Sequence, residues 1–236
     1  GERLYALYSG GIDSEAMLEA FRLAKVPVTV VMIEFTDGSN KHDLKHAHDY
    51  LRRIVYTGSI KVIKFDVKRW FASQELFDYA RYVQTVDVLF TPLLKVIEDN
   101  LLDGIAITAH EEPTLWRNDA LGGKWVWNRC ERHYALHKVF MRAGRSGIPA
   151  FFQWSTELLA SFMFNKQYRV AYNRLHNPTL WQAESLKYFF YWEQFKLPFE
   201  APAETLKLAQ VPDLQLLSET PVQRIAAGDS VWKVEK

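Results

Sequence analysis

The chain has 236 residues, 48% hydrophobic and 24% charged, with a formal net charge of +1. That length and balance suit an ordinary globular protein, built as one large domain or as one domain with a helical appendage. The near-zero charge gives no global case for a nucleic-acid partner. No apolar run reaches membrane-spanning length and no signal peptide precedes the first strand, so a cytoplasmic protein without a membrane partner is expected.

Residues 4–8 (Leu4-Tyr5-Ala6-Leu7-Tyr8) read as a first strand. Met17, Ala20, Phe21 and Ala24 give residues 14–24 the spacing of an amphipathic helix. Between them lies Ser9-Gly10-Gly11-Ile12-Asp13-Ser14. A strand that turns through two glycines into a helix aims backbone N–H groups and the positive end of a helix dipole at one spot, which suits phosphate. Gly10 and Gly11 permit positive φ and close approach of a ligand, and the Ser9 and Ser14 hydroxyls add donors. Asp13 would be repelled by bound phosphate unless a cation lay between them, so it implies Mg²⁺. The loop has neither the Lys-Ser/Thr pair of a Walker motif nor the third glycine of the dinucleotide fingerprint.

Residues 26–33 form a near-continuous apolar run, the pattern of a central parallel strand covered on both faces. A loop at 36–40 and a polar-faced helix at 41–54 follow. A third strand at 60–67 alternates apolar and polar residues, which predicts a position near the sheet edge. Helices are expected at 74–84 and 92–102, the second with Thr91 as N-cap and Pro92 at its first position, before a fourth strand at 105–109. Strands alternating with helices predict an α/β protein with a parallel sheet wrapped on both sides. Its ligands would lie beyond the carboxyl ends of the strands, where loops 9–14, 34–38 and 108–112 converge.

Residues 110–127 read as a long loop in which Trp116, Trp125 and Trp127 either stack on a substrate or anchor the loop. A helix is expected near 128–141, then a basic turn at 142–147. Cys130 is the sole cysteine, which excludes an internal disulfide or an all-cysteine metal centre within one chain; it reads as an incidental or buried thiol rather than a nucleophile. Past Pro149 the pattern is helical: Ser155 caps 156–164 and Asn177-Pro178 starts a helix to about 195. A weakly structured tail has a short helix near 203–209. The pairs His42/His46 and His133/His137 each share a helical face, but neither carries the glutamate of a zincin motif, so surface or core histidines are the simpler reading.

The 9–14 loop resembles the SGGxDS loop of the PP-loop ATP pyrophosphatase superfamily at every defining position, in the same strand–turn–helix setting. Members of that superfamily cleave ATP between the α- and β-phosphates, adenylate a substrate and release pyrophosphate. Glu34-Phe35-Thr36-Asp37-Gly38 is similar to the aspartate-glycine turn of the phosphoadenosine-phosphosulfate reductase branch. Phe151-Phe152-Gln153-Trp154-Ser155-Thr156-Glu157-Leu158-Leu159 is similar to that branch's proline-aromatic-tryptophan segment leading into a helix. The resemblance implies a doubly wound, mostly parallel sheet of the adenine nucleotide alpha-hydrolase-like (HUP) type over residues 1–165. A mainly helical region over 166–236 would then serve substrate specificity or oligomerisation. It implies ATP and Mg²⁺, with Ser9, Gly10, Gly11, Ile12, Asp13 and Ser14 around the phosphates and the metal at Asp13. Backbone near Met32 and Ile33 would read adenine, with Asp37 beside the nucleotide and Thr108 and His110 toward the ribose or α-phosphate. Asp13, Ser14 and Arg117 are the implied catalytic set, and Lys138, Arg142 and Arg145 are further candidate charge clamps.

The departures narrow the chemistry. Sulfonucleotide reduction needs a C-terminal cysteine, 7-cyano-7-deazaguanine synthases carry an all-cysteine zinc site, and thiolating tRNA enzymes use paired cysteines; this chain can supply none of these. Adenylation without sulfur remains, acting on a small carboxylate, amide-like metabolite or modified-base precursor. The alternatives are transfer of AMP to a phosphate acceptor, and a non-catalytic nucleotide sensor or nucleic-acid-binding subunit. A homo-oligomer stays open, since Tyr188-Phe189-Phe190-Tyr191-Trp192 suits a dimer contact as well as a core.

Overall fold

The first strand fixes the layout. β1 (Leu4–Leu7) pairs in parallel with β2 (Thr29–Phe35) on one side and β4 (Ile105–Ile107) on the other. Beyond β2 lies β3 (Ile60–Phe65), and beyond β4 lies β7 (Gly147–Ile148). The result is a five-stranded, all-parallel sheet in the order β3-β2-β1-β4-β7. The computed structural model describes residues 2–110, 114–118, 122, 124–128 and 131–164.

Alternation along the strands feeds two cores. Tyr5, Leu7 and Val31 join one, and Ala6, Tyr8, Val30 and Met32 join the other. The second core is covered by α1 (Ile12–Leu23) and α2 (Lys41–Arg53) through Met17, Leu18, Ala47 and Tyr50. The first is covered by α3 (Val67–Ala72), α4 (Glu75–Val83), α5 (Thr91–Asn100) and α6 (Glu131–Arg142) through Trp70, Leu76, Leu94 and Leu136. Burial on both faces is why the first two strands carry unbroken apolar runs. Among the described residues β3 has one neighbour only, and its Ile60 and Val62 stay about half exposed, as the alternating sequence predicts.

The structure departs from the sequence pattern in four places. The third strand stops at Phe65, because the Asp66 carboxylate accepts a hydrogen bond from the Arg69 N–H (3.0 Å) and caps α3, so Val67 is helical. Thr91 lies inside α5 and is not its cap: its hydroxyl donates to the Val88 carbonyl (2.7 Å) and accepts from the Trp70 indole N–H (2.8 Å). The expected 110–127 loop contains an antiparallel hairpin, β5 (Thr114–Asn118) with β6 (Lys124–Asn128), in which Trp116 opposes Val126. β7 is too short to leave a periodic signature. By contrast, α7 (Thr156–Phe164) begins as expected, where Ser155 Oγ accepts from the Leu158 N–H (3.2 Å). The expected helix from Asn177, the tail and the whole 166–236 region lie outside the described residues. Among the described residues no helix is long and apolar enough to cross a membrane.

Thr91→Val would leave the buried Trp70 indole N–H without its acceptor. It should lower the free energy of unfolding by about 1–3 kcal/mol in urea titrations.

Candidate functional site

The strand order reverses at β1. The chain leaving β1 enters α1 on one face of the sheet, whereas the chain leaving β4 goes by way of the hairpin to α6 on the other. The loops after β1 and β4 therefore leave toward opposite faces at the carboxyl edge, the usual ligand position in such sheets.

The loop after β1 forms one side of that position. The Tyr8 N–H donates to the Val31 carbonyl (2.8 Å), the last rung of the strand pairing. The chain then passes through exposed Ser9 to Gly10, at φ +81°. A Cβ on Gly10 would lie 2.7 Å from the Asp43 carbonyl oxygen of α2, so the turn needs glycine for both conformation and space. Gly11 is the N-cap of α1, with φ −81° and ψ 156°, and no side chain caps the helix. The first N–H groups of a helix have no partner within it, so this end of α1 presents backbone donors. The nearest atom to a Cβ on Gly11 would be Ser9 Oγ, at 3.4 Å.

The two serines differ in what they can offer. Ser9 Oγ accepts from the Gly11 N–H (3.3 Å) and lies 3.3 Å from Ser14 Oγ. Ser14 is buried and donates its hydroxyl proton to the Gly11 carbonyl (2.7 Å), so the proton shared between the two serines is that of exposed Ser9, which donates outward only by turning away from Ser14. Ile12 and half-buried Asp13 occupy the first turn of α1, where the dipole favours an anion.

A buried polar cluster backs the loop. Glu15 Oε1 accepts from the Tyr8 hydroxyl (3.2 Å) and pairs with His46 Nε2 of α2 (2.8 Å), while the Glu15 side chain is only 4% exposed. The hydrogen bond to Glu15 raises the His46 pKa above its usual 6.5, against a smaller opposing effect of burial. This pairing occupies one member of the His42/His46 pair. His137 stacks near Trp154, with ring centroids 6.3 Å apart; the His133 side chain lies outside the described residues. Among the described residues no three His, Cys, Asp or Glu side chains gather as a metal site.

At the end of β2, the backbone expected to read adenine is already engaged. β2 runs past β1, and on that uncovered edge the Ile33 carbonyl accepts from Asn40 Nδ2 (2.8 Å). The Phe35 N–H donates to Asn40 Oδ1 (2.9 Å) on the same edge. Met32 is fully buried in the core. Asp37 closes the following turn: its Oδ1 accepts from the Ser39 N–H (3.1 Å) and hydroxyl (2.8 Å), and its Oδ2 lies 3.8 Å from Lys68 Nζ.

Thr108 is a stitching residue. Its buried hydroxyl donates to the Pro149 carbonyl (2.5 Å), its N–H donates to Ile148 (2.9 Å) and its carbonyl accepts from Phe151 (2.9 Å), which leaves no hydroxyl proton for a ribose. His110 stands edge-on to Phe90, with centroids 4.6 Å apart. Arg117 is in β5, and its side chain, like those of Trp116, Trp125 and Trp127 and the whole of Cys130, lies outside the described residues. The other expected clamps do not gather at the loop. Lys138 Nζ donates to the Gln84 carbonyl (2.7 Å) and Arg142 lies over the Tyr82 ring (4.5 Å), tying α6 to the end of α4. Arg145 precedes β7 and so sits at the opposite, amino edge of the sheet. The sequence pattern gave no role to Asn40, Lys41 or Lys68, all of which follow the carboxyl ends of strands. That position was the signal that could have found them.

The chain matches no protein-family model and no curated protein.

The two glycines should separate under substitution. Gly10→Ala meets a backbone carbonyl and should lose about 1–3 kcal/mol, a fall of several degrees in the thermal midpoint. Gly11→Ala should melt like the wild type while weakening phosphate binding. For the His46–Glu15 pair, a raised histidine pKa means its contribution is complete below about pH 6.5 and disappears as pH rises through the raised value. With His46 half exposed, the amplitude should stay under about 1 kcal/mol. Urea midpoints followed to about pH 9 should show that loss in the wild type and not in His46→Gln.

Proposed function

We propose that this protein is an ATP-dependent adenylating enzyme of the PP-loop ATP pyrophosphatase type, cleaving ATP to AMP and pyrophosphate to activate a small carboxylate or amide-like metabolite. One observation carries the reading: an uncapped helix N-terminus, a Gly-Gly turn held against α2 and the exposed Ser9 hydroxyl meet where the strand order reverses. Such a corner accommodates two or three linked phosphates and offers little to an apolar ligand. In this reading residues 1–165 form the adenine nucleotide alpha-hydrolase-like domain and 166–236 the specificity region, in a cytoplasmic protein.

The chemistry is nucleophilic displacement at the α-phosphorus. An acceptor oxygen forms a bond to that phosphorus, the bond to the bridging oxygen of the β-phosphate breaks, and pyrophosphate leaves with the electron pair. Charge builds on the departing pyrophosphate, so donors fixed in place before reaction lower the barrier. The N–H groups of the first turn of α1 and the Ser9 hydroxyl supply them. Asp13 would hold Mg²⁺ together with phosphate oxygens and water, and the ion would neutralise the leaving group. Lys41 and Lys68 add mobile positive charge along the same edge. Arg117 remains a candidate clamp from the hairpin.

ATP–pyrophosphate exchange in a pool of cell metabolites tests the reading, and the mass of the adenylylated product separates metabolite activation from AMP transfer to a phosphate. Asp13→Asn keeps the side-chain shape and removes the charge that holds the metal. Exchange should fall by about a hundredfold or more, roughly 2.7 kcal/mol of transition-state stabilisation, with the fold intact by circular dichroism. Cys130→Ser is the control and should exchange like the wild type. Wild-type rates in Asp13→Asn would remove Asp13 from the mechanism, and a comparable fall in Cys130→Ser would bring thiol chemistry forward.

A further inference from the structure

We propose that the Asn40 carboxamide, which occupies the base-reading edge of this site, competes for it with the amino edge of an adenine. The inference rests on the reading that nucleotide phosphates lie in the 9–14 loop.

The edge exists because β2 outruns β1. Strand pairing ends at Leu7 with Val31, and residues 32–35 continue alone on that side. In a strand, alternate residues turn their backbone groups to the same edge. The Ile33 carbonyl and the Phe35 N–H therefore face outward together as one acceptor and one donor. Their complement is a group with an N–H and an acceptor side by side: a primary amide, or the N6–H and N1 of adenine. Asn40 supplies that complement from within the chain, with Nδ2 to Ile33 (2.8 Å) and Oδ1 to Phe35 (2.9 Å).

Asn40 also gives up another role to do so. It is the N-cap of α2, where an asparagine side chain ordinarily accepts from an N–H of the first helical turn, yet it makes no capping bond. The carboxamide thus has two places to go, the strand edge or the start of α2. A base taking the edge would release it to the helix, so the exchange leaves no buried polar group stranded. The same helix backs the phosphate loop through Asp43 and Gly10, which brings the edge and the loop together around one element.

Calorimetric titration with Mg²⁺ of ATP and of inorganic tripolyphosphate, which has no base, tests the exchange. Asn40→Ala removes the internal competitor: ATP should bind on the order of tenfold tighter, with tripolyphosphate unchanged. Asn40→Ser retains a residue able to cap α2 but too short to bridge both strand groups. It should show the same gain, so a folding defect in the alanine variant does not decide the matter. In wild-type protein labelled with ¹⁵N-asparagine, the Asn40 side-chain amide signals should move on adding ATP and stay in place with tripolyphosphate. Affinities for the two ligands that shift together, or not at all, would overturn the inference while leaving the phosphate loop standing. Failure of the wild type to bind either ligand would remove the phosphate reading, and this inference with it.

Discussion

The contact between Gly10 and α2 holds the candidate site in shape. Because the Asp43 carbonyl stands where a Cβ would be, the turn after β1 lies flush against the helix, with no side chain between them. The position of the loop is therefore set by α2 as well as by β1. α2 is itself anchored through Ala47, Tyr50 and Leu51 in the core and through His46 to Glu15 of α1. Three elements thus place a few backbone N–H groups, and a site carried on packed helices and strands keeps its geometry better than one on a free loop.

Much of this was legible in the sequence, for identifiable reasons. The unbroken apolar runs of β1 and β2 announce strands covered on both faces, and the alternation in β3 announces an edge. The glycine turn with its following helix stood out because only a few residue types can make it. The illegible parts depend on partners distant in sequence. Nothing near Thr108 signals that its hydroxyl belongs to Pro149, and nothing near Lys138 signals Gln84. Asn40 read only as part of the 36–40 loop, whereas its partners are strand residues exposed by the early end of β1. The hairpin was hidden because two short strands around a glycine-rich turn resemble a loop in composition.

The distribution of charge also bears on the chemistry. Lys138 and Arg142 serve the packing of α6 on α4, and Arg145 lies at the opposite edge. Among the described residues the glycine-loop end of the candidate site therefore offers chiefly backbone dipoles, with Lys41 at the start of α2. Backbone donors fixed by the fold need no reorganisation as charge develops, the condition under which electrostatic stabilisation is most effective.

The strand order has a consequence for how the chain reaches this state. β1, β2 and β3 follow one another closely and can pair while the rest is still being synthesised. β4 pairs with β1 across about 100 residues, a non-local closure of the kind that slows folding. Until it happens, one edge of β1 is open and its apolar residues are unprotected. The glycine turn lies at the seam between the early half and the late half. An unfinished chain would already carry Ser9, Gly10 and Gly11 but would lack the β4 side of the site, so the architecture delays a complete site until the sheet has closed.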